Sequence, residues 1–357
     1  MDSAVDHSQL RRRIEEALAT FLRRRRHQLL DIDEALEPIA DTAQRFILRG
    51  GKRVRPAFAY WGYIGAGGHD CPEVIECIAC LEMLQASALI HDDLMDDSDT
   101  RRGEPAVHRQ FAQHHIDTGW TGSASGFGAS TAILLGDLCL TWSDQMFATA
   151  PMPAERIAIA RADFDAMRTE VSAGQYLDVL TQAQRDTSRQ RAFKVARYKS
   201  AKYTIERPLL LGASLAEGSA QLRRIYSAIG VPLGEAFQFR DDILGVFGDP
   251  KETGKPAGDD LREGKHTYLI ACTYEAASAS QRAILDAGLG NPDLDAVGVD
   301  AIQQIIVDTN ALSVTESKIK ELFAHTTSAL AEAKGVIEPR ALSALNELAV
   351  SAVHRTL

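Results

Sequence analysis

Ile90 to Arg102 reads I-H-D-D-L-M-D-D-S-D-T-R-R, with five aspartates inside eight positions. They follow an apolar run, so they stand at the end of a helix. On that helix Asp92 and Asp96 are four apart and share a face, while Asp93 is displaced by about 100°. Like charges at this spacing repel, and acid at a helix C-terminus opposes the macrodipole. The group is therefore either a solvated helix end or a set of carboxylates sharing a cation, and alone it favours the first. A second stretch shifts the balance. In G-E-A-F-Q-F-R-D-D-I-L-G, Gly234 to Gly245, Asp241 and Asp242 again close an apolar helix. Magnesium takes oxygen ligands, commonly one or two carboxylates completed by phosphate and water. Two such ends facing each other would hold several Mg²⁺ ions on a polyanionic substrate.

Residues able to meet a polyanion stand beside both clusters: Lys52, Arg53 and Arg55, then Arg101 and Arg102, then Lys199 and Lys202, then Lys255 and Lys265. Arginine suits bidentate phosphate contact and lysine acts as a point charge. Any one pair reads as surface charge; the whole set beside two acidic clusters does not. A P-loop is excluded, because Gly254-Lys255 is followed by Pro256 and position 249 holds Asp.

The elements that must carry these residues are helices. Alanine and leucine are abundant, aromatic residues make up 6%, and no alternating strand pattern is found. Helices are expected at 8–32 and to about 48, after the G-G-K-R-V-R-P turn, and at 73–97. The last is apolar nearly all round, as befits a helix in the middle of the protein. Residues 110–130 are Gly/Ser-rich and read as a mobile loop, and 251–265 as a second. Further helices are expected at 131–150, 154–182, 189–216 (kinked at Pro208), 221–247 (kinked or interrupted at Pro232), and in the Ala-rich remainder with a break at 288–295.

The 357 residues carry a net charge of -10, which argues against wholesale nucleic-acid binding. Five cysteines, Cys71, Cys77, Cys80, Cys139 and Cys272, form no disulfide or zinc framework and suit a reducing compartment. No signal peptide and no stretch of about 18 apolar residues is read, so the expectation is a cytoplasmic protein without a transmembrane helix.

Five blocks in order then carry a resemblance: G-G-K-R-V-R-P, H-D-D-L-M-D with R-R-G, G-Q-Y-L-D at 174–178, K-S-A at 199–201, and G-E-A-F-Q-F-R-D-D with G-D-P-K-E-T-G-K. The chain resembles the trans-isoprenyl diphosphate synthases, the polyprenyl synthetase family, and is most like bacterial members that make geranylgeranyl diphosphate. The match runs from about residue 50 to 265. It implies an all-α fold, a single large helical bundle around a central cavity spanning 1–357, and a homodimer, with the 131–150 helix as a candidate contact.

The resemblance also implies an activity: Mg²⁺-dependent condensation of isopentenyl diphosphate with the allylic dimethylallyl, geranyl or farnesyl diphosphate. Three Mg²⁺ are expected per site, with Mn²⁺ as an alternative. Asp92, Asp96 and Asp241 match the metal ligands, with Asp93 and Asp242 supporting them. Arg101, Gln175, Lys199 and Lys255 fall where the allylic diphosphate is held, with Lys265 and Gln238 beside them. Lys52, Arg55 and Arg102 fall at the isopentenyl diphosphate. The allylic C–O bond ionises as charge on the departing diphosphate is neutralised, the isopentenyl double bond attacks the cation, and a proton leaves. Carbonyl or hydroxyl oxygens near Lys199 and Ser200 would face the cation.

This sequence departs from the family pattern in three places. Gly245 stands where a third aspartate is usual, Gln85 replaces a histidine at the isopentenyl site, and Ser200 replaces a threonine. Chain length follows from helix geometry. Ala88 lies one turn before Asp92 on the same face, with Ser87 beside it; in the family, aromatics here stop growth at fifteen carbons. Both are small, and Leu84 and Leu81 follow at roughly 12 and 16 Å from Asp92. That fits an all-trans twenty-carbon product, geranylgeranyl diphosphate. The alternatives are a shorter- or longer-chain synthase, farnesyl or twenty-five carbons and longer, and a non-catalytic subunit of a heteromeric synthase. Such a subunit would be expected to have lost the first cluster.

Overall fold

In α1 (His7–Ile32), apolar residues at Leu10, Ile14, Leu18 and Leu22 recur every fourth position and form one buried stripe. The computed structural model describes residues 7–248 and 258–353, and helices follow one another through both stretches: α2 (Glu37–Leu48), α3 (Val54–Gly65), α4 (Pro72–Met95), α5 (Val107–Asp117), α6 (Ala124–Ala148), α7 (Ala154–Gln184) and α8 (Arg189–Val195). A π-helical segment (Ala196–Glu206) leads into α9 (Arg207–Leu215) and α10 (Ala220–Phe247). After the undescribed residues come α11 (Asp259–Arg262), α12 (Tyr268–Ala276), α13 (Ala279–Gly288), α14 (Ala296–Asp308), α15 (Ala311–Glu332) and α16 (Pro339–Val353).

The all-α expectation holds. Helix α4 is the axis, with apolar side chains on every face, buried from Val74 to Ile90 apart from a few positions. It packs on α1, α3 and α6, while α3 lies against α9 and α10 against the π segment and α15. One apolar core runs through all of these.

Several expectations are corrected. The 110–130 stretch is mostly helix: α5 ends at Asp117, and Ser123 caps α6 by accepting from the Gly126 amide, so the glycines beyond lie inside a helix. There, Gly128 would bring a Cβ within 2.1 Å of the His108 carbonyl, so its small size lets α6 approach α5. The 189–216 helix is divided by the π segment, and Pro208 falls in the first turn of α9, where its missing N–H is tolerated. Helix α10 runs past Pro232 as one element.

A two-stranded hairpin, β1 (Thr100–Arg101) and β2 (Glu104–Pro105), was not foreseen. Its loop is Arg102-Gly103, with φ of 54° and 76°, the two left-handed residues of a type I′ turn. Finally, α4 and α6 are each long and apolar enough to cross a membrane by length and composition alone. Within its most apolar window α4 is 72% buried in this protein, as a core helix is, whereas α6 is 33% buried.

Candidate active site

The end of α4, the end of α10, the middle of α7 and the π segment converge on one cavity of about 800 Å³. Asp92, Asp178, Asp241, Asp242 and Asp260 line it, with Lys52, Arg55, Arg101, Lys199 and Lys265 as the basic residues. Gln85, Ala88, Gln175, Ser200 and Gln238 complete the polar and small wall, and Val171, Tyr203 and Phe237 the apolar one.

The first acidic end is built by helix phase. Asp93, 0% exposed, turns inward and accepts from Arg101 Nε at 2.8 Å, with a second contact from Arg101 Nη2. The hairpin makes this reach possible by folding Arg101 back over α4 only eight residues later. Arg101 Nη2 also lies 3.9 Å from Asp92 Oδ2. Burial opposes the guanidinium charge, but the hydrogen bonds and charges of Asp93 and Asp92 outweigh it and hold the Arg101 pKa above its ordinary value.

Asp92 Oδ1 accepts from Gln175 Nε2 at 2.8 Å and from Lys199 Nζ at 2.9 Å. Lys199 also donates to Asp178 Oδ2 at 2.6 Å. Burial pushes the Asp92 carboxyl up, but Lys199, Lys265 and Arg101 together bring it well below the usual carboxylate range. Asp96 goes the other way: burial and the neighbouring Asp92 charge push its carboxyl up to about 6. Its buried Oδ2 has no hydrogen-bond partner, with Lys265 Nζ 3.5 Å away.

The second acidic end closes α10. Asp242 accepts from Gln238 Nε2 at 2.7 Å, and burial, then the charges of Asp260, Asp241 and Asp178, push its carboxyl up to about 8. Lys265 lies between the two ends, 3.5 Å from Asp96 and 3.6 Å from Asp260 Oδ1, and paired with Glu263. Glu263 also accepts from Ser98 Oγ at 2.6 Å, tying the chain after the first cluster to the chain after the second. Among the described residues no three histidines, cysteines or carboxylates form a protein-only metal cage. The all-oxygen donors divided between two helix ends, with Asp96 Oδ2 lacking a hydrogen bond, fit hard cations that complete their shells from substrate phosphate.

The second basic group sits at the mouth. Gly50 and Gly51, with φ of 80° and 93°, turn the chain so that Lys52 reaches the cavity wall. Arg55 donates to Thr204 Oγ1 at 2.9 Å and stacks 4.3 Å over the Tyr203 ring. Arg102 donates to the Arg49 carbonyl at 2.8 Å. Desolvation and the like charges of Arg53, Arg101 and Arg55 lower its pKa. Cations packed this tightly suit a polyanion.

The structure therefore gathers Asp92, Arg101, Gln175, Lys199, Ser200, Gln238, Asp241 and Lys265 around one cavity, with Lys52, Arg55 and Gln85 at the same wall. Asp96 lies beside Lys265, and Arg102 stands behind the Gly50-Gly51 turn without lining the cavity. Lys255 lies outside the described residues. Lys202 leaves the set: it is held by Glu170 at 2.7 Å and Glu206 at 3.5 Å. Ala88 lines the cavity, whereas Ser87, Leu84 and Leu81 are buried in the core beyond its wall.

Sequence reasoning left Asp178 without a role, although it stands three residues after Gln175 on the same turn of α7. It also missed Glu82, which holds the buried Arg53 at 2.6 Å, and Asp260 and Glu263. Gly174 marks the close approach of α7: a Cβ there would stand 2.3 Å from the Lys199 amide nitrogen.

The pattern of the polyprenyl synthetases matches residues 37–306. The chain belongs to the polyprenyl synthetase family. Its fold superposes with a TM-score of 0.95 on the geranylgeranyl pyrophosphate synthase of Corynebacterium glutamicum complexed with isoprenyl diphosphate and magnesium, at 38% identity over 98% of this chain and all of that one. A geranylfarnesyl diphosphate synthase of Aeropyrum pernix is 32% identical over 79% of this chain and 83% of its own. A geranylgeranyl diphosphate synthase of Sulfolobus acidocaldarius is 33% identical over 68% of each. As a polyprenyl synthetase this protein is an enzyme, a prenyltransferase.

Proposed function

We propose that this polyprenyl synthetase condenses isopentenyl diphosphate with allylic diphosphates in a Mg²⁺-dependent reaction, ending at all-trans geranylgeranyl diphosphate. The observation that carries this is the single cavity onto which two acidic helix ends and two separate basic groups open. Asp92, Asp96 and Asp241 would hold the divalent cations, which when bound supply Lewis-acid neutralisation of the allylic diphosphate. Arg101, Lys199, Lys265 and Gln175 orient that diphosphate as its C–O bond ionises, placing fixed positive charge where negative charge develops. Lys52 and Arg55 hold isopentenyl diphosphate at the mouth, with Arg102 adding its charge from behind the Gly50-Gly51 turn, and the double bond faces the allylic carbon. The new C–C bond takes the π electrons, and the C–H electrons close the new alkene as its proton passes to the released diphosphate.

Product length rests on Ala88, a small residue on the cavity wall one turn from Asp92. It leaves room for a tail that an aromatic would stop, and Leu84 and Leu81 stand beyond. The exposed apolar side chains of α6, including Ile133 and Leu134, support a homodimer of this cytoplasmic enzyme through that helix.

The test is incubation of purified protein with Mg²⁺, isopentenyl diphosphate and, separately, dimethylallyl, geranyl and farnesyl diphosphate. Condensation with all three, stopping at twenty carbons and abolished by a chelator, is the expected result. No condensation with any primer would favour the non-catalytic subunit, and products beyond twenty carbons the longer-chain synthase.

A further inference from the structure

The π segment runs between α7 and α10 at main-chain contact. On α7, a Cβ at Gly174 would stand 2.3 Å from the Lys199 amide nitrogen and 2.6 Å from the Tyr198 carbonyl carbon. On α10, a Cβ at Gly234 would stand 2.5 Å from the Ala201 carbonyl oxygen, and one at Gly230 2.7 Å from the Glu206 Cα. Such a slot fixes where the segment runs, but its side chains decide how it is turned within the slot. Ala196, Lys199, Ser200, Tyr203 and Thr204 line the cavity, whereas Lys202 and Arg207 do not. Both of those cations meet one carboxylate of α7, Glu170. Its Oε1 accepts from Lys202 Nζ at 2.7 Å and from Arg207 Nη2 at 2.6 Å, and its Oε2 accepts from Arg207 Nε at 2.7 Å.

We propose that Glu170 is a positioning residue for the reaction: by holding Lys202 and Arg207 together it sets the π register, and that register delivers Lys199 to Asp92 and Asp178. The argument is one of phase. Lys202 and Arg207 are five residues apart, about 140° around an α-helix, where a single carboxylate could not hold both. With π winding they are about 50° apart and share a face. Glu170 can therefore bind both cations only while the segment stays π-helical. In that same register Lys199 donates to Asp92 at 2.9 Å and to Asp178 at 2.6 Å. Burial opposes the Glu170 charge, but Arg207 and Lys202 outweigh it and hold the carboxyl below its usual range. Glu170 does not line the cavity, so its effect passes through the segment it holds. The inference rests on the proposed function, which assigns Lys199 to the allylic diphosphate.

The test is a double-mutant cycle, with kcat and melting temperature measured for wild type, Glu170→Ala, Lys199→Met and Glu170→Ala/Lys199→Met on geranyl and isopentenyl diphosphates with Mg²⁺. Glu170→Ala should fold, because Lys202 keeps Glu206 at 3.5 Å and Arg207 keeps Asp163 at 3.7 Å. Lys202→Met, which removes one arm of the clamp, carries the same cycle should it not. Glu170→Ala is expected to lower kcat about 10²-fold, the range for a small misplacement made away from the chemistry. In the Lys199→Met background no ammonium is left to place, so Glu170→Ala should cost less than about threefold further in kcat while still lowering the melting temperature. A merely structural ion pair predicts a lower melting temperature with kcat within about threefold of the parent in both backgrounds. An effect independent of Lys199 predicts losses that multiply, to about 10⁴-fold in the double variant. Either result would overturn the inference. Wild type that condenses no allylic primer would instead overturn the proposed function, and this inference with it.

Discussion

Glu82 and Arg53 form an ion pair whose side chains are 6% and 2% exposed, and replacing Glu82 by methionine would leave a guanidinium in the core. The remaining partners are the Ile47 carbonyl at 2.8 Å, the Leu48 carbonyl at 3.4 Å and Glu15, 3.7 Å away. Removing one member of a buried pair costs about 3 to 5 kcal/mol. For 357 residues, an unfolding entropy of about 2.1 cal/mol/K per residue gives about 0.75 kcal/mol/K, hence a melting shift of about 4 to 7 °C. Arg53 follows Lys52 directly and holds a left-handed φ of 51°, so its loss of anchorage should also loosen the turn that sets Lys52 in the cavity wall. The KM for isopentenyl diphosphate should therefore rise about tenfold, with that for the allylic substrate little changed, a loss of about 1.4 kcal/mol at one subsite. Glu82→Met/Arg53→Met, which removes both charges, should recover at least half the lost stability. Calorimetric scans and steady-state kinetics decide the matter. A single variant melting within about 1 °C of wild type, or a double variant no more stable than the single, would refute the reasoning.

Ala88→Phe should shorten the product to fifteen carbons or fewer, read by chromatography of the dephosphorylated prenols. Ser87→Phe, in the packed core, should act first through overpacking, at a cost of about 1 to 3 kcal/mol; unchanged product length in both would sink the gate. Asp242→Asn should stabilise metal-free protein increasingly as pH rises. Its carboxyl is raised to about 8 in the fold, so the native state binds the extra proton between the unfolded and folded values, and wild-type stability falls across that window. Melting temperatures in chelator at about pH 5 and about pH 9 test this, and a constant difference would refute it. Lys199→Met should lower kcat by about 10²-fold or more, because its ammonium is the direct partner of Asp92 and Asp178. A purely structural lysine would lower the melting temperature and spare kcat.

Much of the site was legible because helix phase is regular. The four-residue spacing of Asp92 and Asp96, and the apolar run that buries α4, required only the period of an α-helix. The failures occur where that period breaks. Lys199 and Lys202 would lie about 60° apart around an α-helix. In the π segment, with roughly 4.4 residues per turn, they lie about 120° apart, so Lys199 meets Asp92 and Lys202 meets Glu170. No local residue announces a π segment. The hairpin was missed for a similar reason, since Arg102 holds a left-handed position that its residue type disfavours. The 110–130 stretch misled through composition, its glycines serving helix contact. Asp178, Glu82 and Asp260 are long-range partners, invisible until the helices are assembled.

The ion pairs of the cavity have a consequence for how its ligands arrive. Asp92 is satisfied by Lys199, Asp96 lies beside Lys265, and Asp93 is held by Arg101. A divalent cation that draws Asp92 away releases Lys199 to a phosphate, and a phosphate that draws Lys199 away releases Asp92 to a cation. Metal and diphosphate should therefore bind with positive heterotropic coupling, each raising the affinity of the other by the same factor. The resting enzyme is, in effect, an internal salt that dissolves only when both counter-ions are offered together.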